Sequence, residues 1–282
     1  MMCIIKNHVI PFYAVIIVLT IVFYFLSTLL HMEYLLRQRR AIYTTATLFL
    51  YLGFLSHALG LGQSFHEAGH LPFASLRGAM SFFIWLLVGA YLLIQLRYRL
   101  PVIGSFMTPL ALVLVMVNMV LPEPTGRDYS FVYTSPLFPI HVSFAVLGDV
   151  FFALAFIIGA MYLLQLREVR SKNRGFIYHR LPSLEILDEL NYRCLSLGFP
   201  LLTLGIITGT LWAKSAWGTY LKGDPKEVWS LITWAIYAAL LHLRLNSGWR
   251  GRKAAIMSIT GFIVLLFTFI GVNWLFTGYH NF

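Results

Sequence analysis

The stretch Trp217-Gly218-Thr219-Tyr220-Leu221-Lys222-Gly223-Asp224-Pro225-Lys226-Glu227 divides two apolar runs, about 194–213 and 228–243. Each run is close to the ~20 apolar residues that cross ~30 Å of hydrocarbon at 1.5 Å per residue. The stretch itself is short, aromatic and polar. It cannot span lipid, so the runs on either side pin it to a membrane surface, where it can hold a ligand. Six further runs of the same kind lie outward of it, at about 9–31, 41–61, 79–96, 101–121, 139–165 and 254–275. This predicts an all-α polytopic membrane protein with eight transmembrane helices, a single transmembrane domain over 1–282.

Composition agrees. The 282 residues are 59% hydrophobic and 11% charged, whereas soluble domains carry roughly 25% charged residues. The net charge of +10 is no nucleic-acid footprint, because the basic residues sit in short clusters between apolar runs. Odd-numbered connections hold Arg37, Arg39, Arg40, Arg97, Arg99, Arg167, Arg170, Lys172, Arg174, Arg180, Arg193, Arg244, Arg250, Arg252 and Lys253, which is 15 of the 21 Lys and Arg. The other side has only Lys6, Arg77, Arg127, Lys214, Lys222 and Lys226. The positive-inside bias puts the first group in the cytoplasm and both termini outside. Arg37, Arg39 and Arg40 after the first run read as a stop-transfer signal, with no cleavage site apparent. The two cysteines, Cys3 and Cys194, form no C-x-x-C or C-x-x-C-H pattern, so a disulfide framework, a thiolate zinc site and covalent haem on this chain are excluded.

Topology sorts the histidines. His141 falls at the outer end of the fifth span and His280 just beyond the eighth, on the face that carries the Trp217–Glu227 loop. Two neutral imidazoles can complete the axial coordination of a haem iron, and flat rings can pack the macrocycle. Interfacial His and Trp can equally be membrane anchors. His242 lies near the cytoplasmic end of the seventh span, as a deeper metal or haem ligand or as a snorkelling interfacial residue. His57 has nothing distinctive around it. His66-Glu67-Ala68-Gly69-His70 matches H-E-x-x-H, but Gly60, Gly62 and Gly69 predict a loop where that zinc motif needs a helix. Asp149, about two turns below His141, suits proton handling or interhelical hydrogen bonding.

Some features have ordinary structural readings. Asp224, Pro225 and Glu227 form a capping box for the seventh span, which would also fix the preceding loop over a ligand. Ser183 caps a helix with Leu184, Leu187 and Leu190 on one face, read as a short interfacial helix or a docking site. Gly205 and Gly209 in the sixth span give the G-x-x-x-G spacing of close helix packing.

The run Trp212 to Arg244 resembles the tryptophan-rich signature of the CcsA/ResC family of cytochrome c assembly proteins, within a wider group of haem-handling membrane proteins. The likeness includes 187–193 (LDELNYR), 198–209 (GFPLLTLGIITG), 224–227 (DPKE), 229–234 (WSLITW), 241–244 (LHLR), 271–273 (GVN) and 278–280 (GYH). It is dense over 139–282, the haem-handling half. The resemblance implies a subunit of a bacterial inner membrane that works with a CcsB/ResB-type partner and relays haem b outward as cargo. It would present that haem to the C-x-x-C-H thiols of apocytochrome c for thioether attachment, as a haem lyase component. On this likeness His141 and His280 correspond to outer haem ligands, and His242 to an intramembrane ligand of an earlier haem site. Trp217, Asp224 and Glu227 belong to the haem-holding loop. The family loop usually resembles W-G-x-x-W-x-W-D-P-K-E, whereas Leu221 and Gly223 stand here in place of the second and third Trp. Restoring Trp at both is expected to tighten haem binding. That departure also admits a relative resembling HemX, which binds haem to regulate tetrapyrrole synthesis without ligation activity.

Overall fold

All eight apolar runs form helices long and apolar enough to cross a membrane. The computed structural model describes residues 2–68, 75–121, 135–171 and 175–275, with no strand among them. The helices are α1 (Met2–Arg37), α2 (Arg40–Ala68), α3 (Leu76–Tyr98), α4 (Gly104–Val120), α5 (Leu137–Arg170), α6 (Leu184–Trp217) and α7 (Pro225–Asn246). The eighth span begins as α8 (Arg252–Leu266), widens into a π-helical turn over Phe267–Gly271 and ends as α9 (Val272–Leu275). Helices are the expected solution in lipid, because every backbone N–H and C=O must be satisfied within the segment. The chain is a multi-pass membrane protein.

Local signals set the boundaries. The Ser75 hydroxyl accepts a hydrogen bond from the Gly78 N–H at the start of α3, and the Ser183 hydroxyl accepts from the Ile186 N–H at the start of α6. Gly218 ends α6 at φ 77°, a left-handed conformation that glycine adopts without steric cost.

Two expectations are corrected. α2 runs on to Ala68, so Gly60 and Gly62 lie inside a helix rather than in a loop, as glycine commonly does in membrane helices. The helix capped by Ser183 is no separate interfacial element, but the first turns of the 34-residue α6. Of its polar residues Glu185 and Glu189 are exposed, whereas Asp188 and Asn191 pair inside. The Asn191 amide donates to the Ala155 carbonyl at 2.8 Å, and its Oδ1 accepts from Ser258 at 3.1 Å. The Asp188 carboxylate accepts from Arg244 at 2.9 and 2.7 Å and from the Gly251 N–H at 2.8 Å.

The chain divides into two compact units, 1–123 and 124–282. In the first, α1 packs on α2 and α4, and α3 on α4. Its helices are stitched by polar contacts between Thr20 and Ser56 (2.8 Å), Tyr24 and His57 (3.3 Å), and His57 and Ser81 (2.8 Å). In the second, α5 packs along α6 and α8, and α7 lies against α6 and α8. The approach of α5 to α6 is close: a Cβ on Gly148 would stand 2.8 Å from the Leu202 nitrogen, and one on Gly205 would stand 2.9 Å from the Ala145 backbone. Small residues at such crossings let two membrane helices meet backbone to backbone.

Candidate functional site

His141 sits in the second turn of α5, half-buried against the last turns of α6. Its Nδ1 lies 2.7 Å from the Gly205 carbonyl oxygen. A carbonyl only accepts, so in the neutral ring Nδ1 carries the proton and Nε2 the lone pair. A second hydrogen bond of this kind is how proteins fix the tautomer and orientation of a ligating imidazole. The Trp212 ring stacks parallel to the imidazole at 6.4 Å and 6°. Trp212 is itself buried, tilted on Phe138 at 5.1 Å and edge-on to Trp217 at 4.8 Å. Gly209 completes the seat: a Cβ there would fall 2.6 Å from His141 Cε1. One glycine of the G-x-x-x-G pair thus serves helix packing, as expected, and the other makes room for the histidine.

The loop between α6 and α7 is held from below. Asp224 caps α7 by accepting from the Lys226 N–H at 2.9 Å. The Glu227 Oε2 accepts from the N–H groups of Lys222 (3.0 Å) and Gly223 (3.1 Å). That differs from the expected capping box, in which Glu227 would bind the N–H of Asp224. The carboxylate reaches one and two residues further out, so it clamps the loop rather than the helix end alone. Above it, the Lys222 ammonium lies over the Trp217 ring at 4.9 Å, and Lys214 donates to the Gly218 carbonyl at 2.8 Å. Leu221 is exposed, and Gly223 has φ 72°. The backbone at Gly223 is therefore left-handed, and a Trp there would be strained.

The remaining predicted residues scatter. His242 is exposed on α7, with the Asn246 amide 3.1 Å from its Nδ1, at the opposite end of the unit from His141. His280 and His70 lie outside the described residues. His66 and Glu67 occupy the last turn of α2, where the Glu67 carboxylate accepts from the Gln63 amide at 2.8 Å. His57 is buried between the Tyr24 and Ser81 hydroxyls. Asp149 is half-buried on α5, within Coulombic range of Lys226. Sequence reasoning passed over His31, the most deeply buried described histidine, whose Nε2 has no hydrogen-bond partner among the described residues. Its signal was available: an ionisable side chain within an apolar run is a functional candidate by default.

Residues 73–280 match the family described as "Cytochrome C assembly protein". Among curated proteins, a Prochlorococcus marinus (strain MIT 9215) chain named "Cytochrome c biogenesis protein CcsA" is 34% identical over 267 residues, covering 87% of this chain and 86% of the relative. Proteins of the same name from Guillardia theta and Synechococcus sp. (strain CC9902) are 32% and 34% identical, over 79% and 77% of this chain and 80% and 79% of theirs. Among solved structures, "Cytochrome c Heme Lyase CcmF" shares the fold at TM-score 0.65 and 17% identity. That match covers 92% of this chain and 46% of the other, so this chain spans about half of it.

Proposed function

This chain belongs to the cytochrome c assembly protein family, and from that premise we propose that it is the haem-binding membrane subunit of cytochrome c biogenesis. In this reading it relays haem b to the outer face of a bacterial inner membrane and works with a CcsB/ResB-type partner. It presents the haem to apocytochrome c, where each cysteine S–H adds across a haem vinyl. Sulfur bonds one vinyl carbon and the proton passes to the other, with no net electron transfer.

The observation that carries the reading is the His141 seat. A ring with Nδ1–H tied to a backbone carbonyl and a tryptophan stacked on its face is set to offer Nε2 to iron. His280 supplies the second imidazole, and Trp217, held by the loop that Glu227 clamps, packs the macrocycle. His242 serves an earlier site, facing outward from α7 toward lipid or the partner subunit.

Variants that empty one axial position test this. His141→Gly and His280→Gly should each lower bound haem and cytochrome maturation, and added imidazole should restore part of both by filling the missing position. Unchanged haem content and maturation in both variants would remove the outer bis-histidine site. A HemX-like regulator would bind haem without maturing a cytochrome, so maturation is scored beside binding.

A further inference from the structure

The first unit carries a polar cluster that the haem reading does not use. His31 of α1 is 0% exposed, and its imidazole meets the Tyr43 ring of α2 at 6.4 Å and the Tyr91 ring of α3 at 6.5 Å, both edge-on. From α4 the Ser105 hydroxyl donates to the His31 carbonyl at 2.6 Å. His31 Nδ1 lies 2.9 Å from the Ser27 carbonyl oxygen and 3.2 Å from the Ser27 hydroxyl, whose own proton goes to the Ala46 carbonyl. Both Ser27 oxygens accept there, so Nδ1 carries the ring proton and Nε2 the lone pair.

That lone pair faces Gly104 at the start of α4, where a Cβ would stand 2.6 Å from Nε2 and would also collide with the Tyr91 hydroxyl. One glycine thus brings a buried acceptor and a buried donor together. Neither has a hydrogen-bond partner among the described residues. A third such atom, Gln95 Oε1, belongs to the next turn of α3, where the Gln95 amide donates to the Tyr43 hydroxyl and to Thr47. The three groups step from His31 toward the end of α3 at Tyr98. The other buried histidine of the unit differs, since both ring nitrogens of His57 meet hydroxyls, from Tyr24 and Ser81.

Polar atoms stranded dry in an apolar bundle are costly, and buried water satisfies them where polar groups converge. Among the described residues no three His, Cys, Asp or Glu side chains gather to hold a metal, so the donor set here suits a neutral ligand. We propose that His31, Tyr91 and Gln95 hold ordered water inside the first unit, and that through it His31 exchanges a proton with the aqueous phase. One water donates to Nε2 and accepts from the Tyr91 hydroxyl, and Gln95 Oε1 accepts from the next water outward. In the exchange an O–H bond of hydronium breaks as an N–H bond forms at Nε2. Water and an imidazolium result, the latter keeping its Nδ1–H on Ser27. The titratable groups that face the ring are Tyr43 and Tyr91; Ser27 and Ser105 add only hydroxyls. The site does not depend on the haem reading, and neither falls with the other.

Hydrogen–deuterium exchange at the imidazole Cε1, read by mass spectrometry on the purified full-length protein in detergent, tests the proposal. That exchange passes through the imidazolium and needs water against the ring. Two histidines serve as internal references: His179, exposed in the connection between α5 and α6, and His57, buried with both nitrogens engaged. His31 should exchange on the timescale of His179 rather than of His57. Tyr91→Phe keeps the ring and removes only the hydroxyl. It should slow His31 by about threefold to tenfold, the scale of one lost hydrogen bond, and leave His57 as it was. It should also lower the unfolding temperature, whereas removing a hydroxyl stranded without water would raise it. Exchange at His31 as slow as at His57, exchange unchanged or faster in Tyr91→Phe, or a raised unfolding temperature overturns the site.

Discussion

At the scale of single residues, the site turns on how little freedom His141 has. The Gly205 carbonyl holds one ring nitrogen, Trp212 covers a face, and Gly209 lies where any larger residue would collide. Gly209→Ala should therefore displace the ring: overpacking costs about 1–3 kcal/mol. Thermal unfolding and haem titration should fall together, and an unchanged haem affinity would show that the ring has room to move. Leu221 and Gly223 behave differently from each other. Leu221→Trp places a ring on an exposed position and should tighten haem binding by about twofold to tenfold, from an aromatic contact of roughly 0.5–1.5 kcal/mol. Gly223→Trp would force a left-handed backbone on a bulky residue at about 1–2 kcal/mol, so it should lower stability instead. The sequence singled out His141, Trp217, Asp224 and Glu227 as candidates from residue type and position in the topology. It did not separate the two glycines of one motif, nor reveal His31, because those depend on which ring faces which helix.

At the scale of elements, α6 was legible as an apolar span but not as a helix of 34 residues. A hydropathy pattern stops where polar residues start, and Asp188, Asn191 and Arg193 marked an end that the fold bridges. The π-helical turn at Phe267–Gly271 left no sequence mark either. What joins the far ends of α6 and α7 is the Asp188–Arg244 pair, with the guanidinium also 4.6 Å from the Tyr192 ring centroid. The Arg244 side chain is 6% exposed and the Asp188 side chain 19%. Removing Arg244 alone strands a largely buried carboxylate, so Arg244→Leu should cost about 3 kcal/mol, the low end for a broken buried pair given the exposure of Asp188. Replacing both, with Asp188→Leu added, should cost less than the single change. Strict additivity in denaturant unfolding would mean the two charges do not act as a pair.

For the whole molecule, the eight spans among the described residues followed from length and hydropathy alone, and an even count would place both termini on one side. Which side rests on the 15 basic residues in the odd-numbered connections. A reporter fused after Phe282 should read as periplasmic and one near Lys172 as cytoplasmic; cytoplasmic activity at the C-terminus would invert the map and separate the loop from the face where haem is delivered. The division into units at 123 and 124 was not legible, since uniform apolar runs carry no sign of which helices pack together. The central claim is that the second unit binds haem through imidazole at that outer face. The absorption spectrum of the purified full-length protein tests it most directly. The account predicts bound haem with the low-spin spectrum of two axial imidazoles, lost in His141→Gly and regained with imidazole. A protein that retains no haem, or whose haem spectrum is the same with and without His141, would contradict it.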